Sequence, residues 1–226
     1  MRLNSYIIEN IKPITAEEIS SNCGPYLKDL KAGKNIFSRF SVKYSFTDIT
    51  IYPLKKDRKP RDTPKALHDI MNDSLREKFG WSPRSNGLFV WLTRRSSIER
   101  LIKLHKTSNS KLAYVFPIGP YKYIYSPSIE DIYMNWEATY NERTSYVNSS
   151  TLDSPEALEI FEKWWFEEIL KTYTNKDAMK LFLTSYDRIE CMLKCNNVYL
   201  IPGSKILNIL TELGVKTYAT KVPTRF

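Results

Sequence analysis

Residues 188–218 read RIECMLKCNNVYLIPGSKILNILTELGVKTY, and the order of elements within them decides the fold class. Arg188 to Leu193 and Val198 to Ile201 are short, mostly apolar runs with the pattern of strands. A helical pattern follows over Ser204 to Leu213, then a third short strand over Val215 to Tyr218, and a helix over Lys176 to Thr184 is predicted ahead of them. Strands this short can turn back on their neighbours, and the helices fall between them irregularly. The pattern predicts an α+β chain, a single domain with mainly antiparallel sheets and interspersed helices, rather than a doubly wound parallel fold.

Working outward, Ser154-Pro155 puts a capping hydroxyl before a proline and opens the longest helix, to about Tyr173. Residues 139–153 are rich in Ser, Thr and Asn and read as a long surface loop. Pro127 opens a helix to about Trp136, while Leu112 to Phe116 and Tyr121 to Tyr125 are short strands separated by Pro117 and Gly119-Pro120. Ser96 to His105 is helical and strongly basic. Ser82 to Gly87 reads as a turn feeding a buried strand, Leu88 to Leu92. Before it, Thr63 supplies a capping hydroxyl and Pro64 starts a helix. That helix runs to Phe79 with Leu67, Ile70, Met71, Leu75 and Phe79 inward, and Gly80 ends it. Leu54 to Arg61 (LKKDRKPR) is a basic loop, and Phe37 to Tyr52 alternates as one long or bent strand. Thr15 and Glu18 have capping-box spacing, so a short helix begins near Ala16 and stops before the turn Cys23-Gly24-Pro25.

Composition sets the outer bounds. The 226 residues are 42% hydrophobic and 13% aromatic, with 15 Tyr and 5 Trp, which is ample for one core over residues 1–226 and argues against disorder. Met1 to Asn10 lacks the apolar core of an export signal, and no run approaches a membrane span, so a cytoplasmic protein without a membrane partner is expected. Cys23, Cys191 and Cys195 form no metal-type pair and are expected as reduced thiols. Lys and Arg number 34 against 25 Asp and Glu, a net charge of +9. Such a field attracts polyanions, nucleic acid and DNA above all; the plainer reading is that it keeps the protein soluble.

The common catalytic signatures are absent: no GxxxxGK, GxGxxG, GxSxG or HExxH occurs, and with only His68 and His105 no histidine-rich metal site is expected. Chemistry must then come from carboxylates, guanidiniums and hydroxyls. Arg58, Arg61 and Asp62 lie just before the helix opened by Pro64, and His68 and Asn72 share one of its faces. Cations beside a helix amino terminus suit a phosphate or pyrophosphate, although the same residues also serve as a cap and a solvated basic loop. Arg84 and Ser85 precede the buried strand and can stand at a pocket rim. Glu190 interrupts an apolar strand, where a buried carboxylate needs a partner or a task; Arg188 is one partner, and an edge position facing water is the simpler explanation. Arg94, Arg95, Arg100, Lys103, His105 and Lys106 make a candidate nucleic-acid face or a solvated helix paired with Glu99. Trp164, Trp165, Phe166 and Ile169 could stack bases, but aromatics at helical spacing are read as core.

Three stretches together, RDTP at 61–64 with His68 behind it, RSNGLFV at 84–90, and RIECMLKC at 188–195 followed by VYLI, resemble the ADP-ribosyltransferase-like proteins of bacteriophages and phage-associated genes. The resemblance covers about a quarter of the chain. It implies an ADP-ribosyltransferase-like domain in which Arg61 holds nucleotide phosphates, Arg84 and Ser85 shape the cleft beside the ribose, and Glu190 is the catalytic carboxylate. NAD would be consumed by a transferase; a DNA glycosylase built on the same electrostatics would need no cofactor. Two departures stand out. Transferases that modify protein arginine carry a second carboxylate two residues before the catalytic one, where this chain has Arg188, and the Ser-Thr-Ser strand triplet is missing. The expected chemistry is displacement at an anomeric carbon through an oxocarbenium-like transition state that one carboxylate can stabilise. The alternatives are excision of a modified base from phage DNA, with the base taken out of the stack, and a non-catalytic nucleic-acid-binding or virion-associated protein. The resemblance sets any of these in phage–host conflict, antiviral defence included.

Overall fold

A computed structural model describes residues 13–41, 47–59, 63–107, 111–129, 131–145, 152, 154–176 and 188–217. Two helices open it, α1 (Ala16–Asn22) and α2 (Gly24–Lys31). The Thr15 hydroxyl accepts the Glu18 N–H, as the capping-box spacing predicts. The expected turn at Gly24-Pro25 is instead the start of α2, because proline is tolerated in a first helical turn where its missing N–H has no partner to lose.

The predicted Phe37–Tyr52 strand is two strands, β1 (Ile36–Ser41) and β2 (Thr50–Pro53). They pair with different partners, which a continuous alternation conceals. Helix α3 (Lys65–Phe79) ends where Gly80 takes the left-handed conformation at φ 71°. Residues 82–87 hold a single helical turn, α4 (Pro83–Asn86), feeding β3 (Leu88–Thr93). A 3-10 turn over Arg95–Ser97 leads into α5 (Ile98–Thr107), followed by β4 (Lys111–Ile118) and β5 (Lys122–Tyr125). Helix α6 (Ile132–Thr144) starts later and ends later than the sequence predicts. Ser126 to Ile129 is closed as a turn by an Ile129 N–H to Ser126 O bond, and the Asp131 side chain is the real cap. Helix α7 (Pro155–Trp164) is capped by Ser154 and continues through a π turn, Trp165–Ile169, and a 3-10 turn, Leu170–Thr172. Strands β6 (Arg188–Lys194) and β7 (Asn197–Pro202) precede α8 (Ile206–Glu212). Residues 215–217 are not a strand, and the helix predicted over Lys176 to Thr184 lies outside the described residues beyond Lys176.

Among the described residues the strands join one seven-stranded sheet in the order β2-β7-β4-β1-β3-β6-β5, every pair antiparallel. The fold is α+β, with an open antiparallel sheet and interspersed helices. Chain neighbours β6 and β7 do not pair; they stand four positions apart in the sheet. In a flat sheet that separation is about 19 Å, whereas the link from Lys194 to Asn197 can reach only about 11 Å. The sheet therefore curls, carrying the end of β6 back toward the start of β7. Burial agrees: residues of both parities in β4 and β7 join one core cluster with α1, α2, α5 and α8, while β3 and β6 divide their residues between two clusters. Leu88, Val90, Cys191 and Leu193 face the first; Phe89 and Met192 face the second, built on α3, α6 and α7. Trp164, Trp165 and Ile169 belong to that second core as expected, but Phe166 is 53% exposed. Among the described residues no helix is long and apolar enough to cross a membrane.

Candidate active site

The face of β3 and β6 that looks toward α3 and α6 carries the site. Trp91 and Glu190 are direct partners across the two strands, so Glu190 projects to the same side as Phe89 and Met192. A cleft of about 660 Å³ opens there; Arg58, His68, Arg84, Trp91, Asp131 and Glu190 are among its lining residues. Its size suits a small-molecule site. Four residues singled out from the sequence thus meet, although Glu190 is more than a hundred positions from the others.

Short-range hydrogen bonds build the wall beneath them. Ser82 does not cap α4 with its side chain; instead Asn72 Oδ1, reaching over from α3, accepts the N–H groups of Arg84 at 3.1 Å and Ser85 at 3.2 Å. These are two amides that a helix start leaves unpaired. The basic loop 54–59 is clipped to the same turn: Asp57 N–H donates to Asn86 Oδ1, Arg58 N–H to Ser85 O, and Arg58 Nη1 to Gly87 O at 2.7 Å. Gly87 is required there, since a Cβ would lie 2.3 Å from Pro83 O. Asn72 and Ser85 therefore stand behind the cleft wall rather than on it. Ser85 Oγ is 3.4 Å from His68 Nε2, which does line the cleft.

Arg84 is buried, not at a rim, with only 5% exposure. Its Nη2 donates to Thr63 Oγ1 at 3.1 Å, so the Thr63 hydroxyl holds Arg84 and does not cap α3, whose cap position is Pro64. The guanidinium lies over Phe89, 5.2 Å from the ring centre, and that of Arg58 lies 5.4 Å from the same ring. Arg84 Nε and Nη1 are buried without a hydrogen-bond partner. So is Glu190 Oε1. The remainder of Glu190 is partly exposed toward the cleft, and its carboxylate accepts the Ile132 N–H at the start of α6.

Burial raises the Glu190 carboxyl from 4.5 to about 7; the positive field of Arg84 opposes this, and the negative field of Asp131 adds to it. Asp131 Oδ1 accepts the Tyr133 and Met134 N–H groups. Its lining role was hidden in the sequence because it sits inside the stretch predicted as helix; an Asp directly before an apolar helical run was the available signal. His68 is held below its ordinary value, by burial first and then by the field of Arg84, with Arg58 and Lys65 adding to it and Asp69 opposing. Burial and the neighbouring cations favour its neutral form.

Arg61 and Asp62 lie outside the described residues. Arg94, Arg95 and Lys103 do not line the cleft. Arg95 is buried and its Nη1 donates to Leu30 O and Lys216 O, both at 3.0 Å, so it ties α2 to the segment that follows α8 instead of facing a nucleic acid. Arg94 is half-buried, and Lys103 is exposed on α5. No family model, curated protein or solved structure matches the chain.

Proposed function

We propose that the chain acts on an N-glycosidic bond, transferring ADP-ribose from NAD, bound as substrate, to a nucleic-acid or protein acceptor in a cytosolic phage–host conflict. The observation that carries this reading is the meeting of Glu190 with Arg58, His68 and Arg84 in one cleft of about 660 Å³. It keeps the ADP-ribosyltransferase likeness as its frame. The unpaired Nε and Nη1 of Arg84 and the unpaired Oε1 of Glu190 suit a ligand that brings both acceptors and donors, as a ribosyl phosphate does.

In this reading the bond from C1′ to the pyridinium nitrogen breaks, nicotinamide leaves with the electron pair, and the Glu190 carboxylate steadies the positive charge on the sugar. An acceptor oxygen or nitrogen then bonds to C1′ and gives up its proton to Glu190 or to water. Only ionised Glu190 can do this, so the rate rises with pH through about 7. A second reading, release of a modified base from DNA with water as the acceptor, is favoured by the exposed Lys55, Lys56 and Lys59 beside an aromatic wall that includes Phe89 and Trp91.

The test is incubation of wild type and Glu190→Gln with adenylate-labelled NAD and a DNA, RNA and protein acceptor panel, with modified DNA assayed in parallel for abasic sites. Label transfer or nicotinamide release that disappears in Glu190→Gln supports the first reading. Abasic sites alone select the second, and neither product from wild type overturns both.

A further inference from the structure

The Glu190 cleft is cationic over much of its lining. Arg39, Lys55, Lys56, Arg58, Lys59 and Arg84 stand against Asp57, Asp131 and Glu190. Lys55, Lys56 and Lys59 are exposed, and among the described residues none of the three pairs with a carboxylate, whereas Lys34, Lys65, Arg76, Arg143 and Lys205 each do. Like charges this close in the chain repel one another, and a slack loop would let them spread. This loop is not slack. The Leu54 N–H donates to Asn196 O at 3.0 Å, and the bonds from Asp57 and Arg58 to the α4 turn hold the other end. Asp57 takes φ 53°, a left-handed conformation that is unfavourable for a residue with a side chain. The fold thus fixes a cationic edge on the cleft.

Aromatic rings lie beside that edge. Phe40, Tyr52, Phe89 and Trp91 are partly exposed and line the same cleft. The Arg58 guanidinium sits 5.4 Å from the centre of the Phe89 ring, which seats the loop against it. Trp91 follows Phe89 by two residues on β3, so both rings project to one face, and Trp91 is the direct cross-strand partner of Glu190. The loop, Phe89, Trp91 and Glu190 thus follow one another along the cleft. We propose that loop 54–59 docks single-stranded nucleic acid, its phosphates on Lys55, Lys56 and Lys59 and its bases over Phe89 and Trp91, so that an unpaired nucleotide is the acceptor brought to Glu190. Cations interleaved with aromatic rings hold a strand without reading its sequence. An acidic peptide matches the lysines alone, and a base held inside a duplex cannot reach a carboxylate that is only partly exposed within a cleft. The choice of acceptor rests on the Glu190 chemistry proposed above, whereas the docking does not.

Binding is measured in Glu190→Gln without NAD, so that failure of docking and failure of the chemistry are read separately. A labelled twelve-residue oligothymidylate is titrated by anisotropy at several salt concentrations, beside a duplex of equal length and with polyglutamate as competitor. The single strand should bind more tightly than the duplex. Lys55→Ser/Lys56→Ser/Lys59→Ser should lose about tenfold or more in affinity and about two in log–log salt slope, the share of three phosphates. Lys28→Ser/Lys103→Ser/Lys122→Ser removes the same charge from exposed positions outside the cleft and should change both far less. Both triple variants alter exposed side chains and should melt with their parent, so lost binding is not lost folding. Trp81, Trp136, Trp164 and Trp165 are each 6% exposed or less, which leaves Trp91 as the indole a base can reach. An unlabelled strand should quench its emission, and Trp91→Phe should remove the quenching. Equal losses in the two triple variants would reduce the effect to net charge and overturn the proposal. So would an unquenched Trp91, equal binding of duplex, displacement by polyglutamate at matched charge, or no binding at low salt.

Discussion

Replacing Glu190 by Gln should stabilise the protein while destroying its proposed activity. The native carboxyl is raised from 4.5 to about 7, so the folded state holds its proton more tightly than the unfolded chain does. Stability from this group is fully present below pH 4.5, declines as pH rises, and is lost once pH passes about 7. The rise corresponds to about 3 kcal/mol of disfavoured ionisation, with the attraction of Arg84 already included. Glutamine has nearly the shape of the protonated acid and cannot ionise. Wild type and variant should therefore be equally stable near pH 4, and the variant ahead by about 3 kcal/mol at pH 8, or about 6–12 °C in melting temperature for a chain of this length. Urea unfolding at pH 4, 5, 6, 7 and 8 measures the divergence directly. A constant difference across that range, or a variant less stable than wild type at pH 8, would refute the burial argument. The same variant should lose at least about 100-fold in transfer rate, so stability and function move in opposite directions.

Asp131→Asn keeps a good helix cap but removes a negative field that raises Glu190, so the pH–rate midpoint should move down from about 7; an unmoved midpoint would detach Asp131 from the site. In NMR titration the His68 ring should protonate below 6.5, its folded-state value being depressed. Its contribution to stability is present above 6.5 and lost as pH falls through the native value; a midpoint above 6.5 would contradict its burial between cations. Asn72→Ala leaves the Arg84 and Ser85 amides without their acceptor and should cost about 1–3 kcal/mol in urea unfolding, with nucleotide affinity weakened through a displaced Arg84. Gly87→Ala forces a Cβ to 2.3 Å from Pro83 O and should destabilise by about 1–3 kcal/mol; a neutral result would mean the α4 turn is looser than described.

How far the sequence could lead is visible in particular elements. Strands β3, β6 and β7 were legible because apolar runs bounded by turn residues leave few alternatives, and α3 because its apolar period ends on a glycine that takes φ 71°. The split of Phe37–Tyr52 was not legible, since alternation is a local property and strand pairing is not. The curl of the sheet was equally hidden: Arg188–Leu193 and Val198–Ile201 look like consecutive hairpin strands, yet they pair elsewhere. At the site, Glu190 was legible because a charge inside an apolar strand demands an explanation. Arg84 was found but placed at a rim, since nothing local shows that Thr63 and Phe89 draw its guanidinium inward. Asn72 was chosen for sharing a helix face with His68, whereas its work is to cap a neighbouring turn.

The distribution of unsatisfied atoms bears on why such a cleft persists. Arg84 Nε, Arg84 Nη1 and Glu190 Oε1 are all sealed from water and unpaired, and Arg84 and Glu190 line the same cleft. Each orphaned polar atom costs about 1–3 kcal/mol, a large share of the roughly 5–15 kcal/mol that holds a domain together. Packing alone could have removed both charges: a methionine at 84 and a glutamine at 190 would fill similar volumes with none. The fold instead maintains a buried cation and a buried acid near each other without closing them into a direct pair. Closing the pair would relieve both groups and leave nothing for a ligand to do. Because both line one cleft, one partner that accepts from the guanidinium and donates to the carboxyl would satisfy both and recover free energy that folding leaves unclaimed. This is the arrangement expected of a preorganised polar site, and it supports the proposed ligand-binding role of Glu190 and Arg84 more than either residue's charge alone.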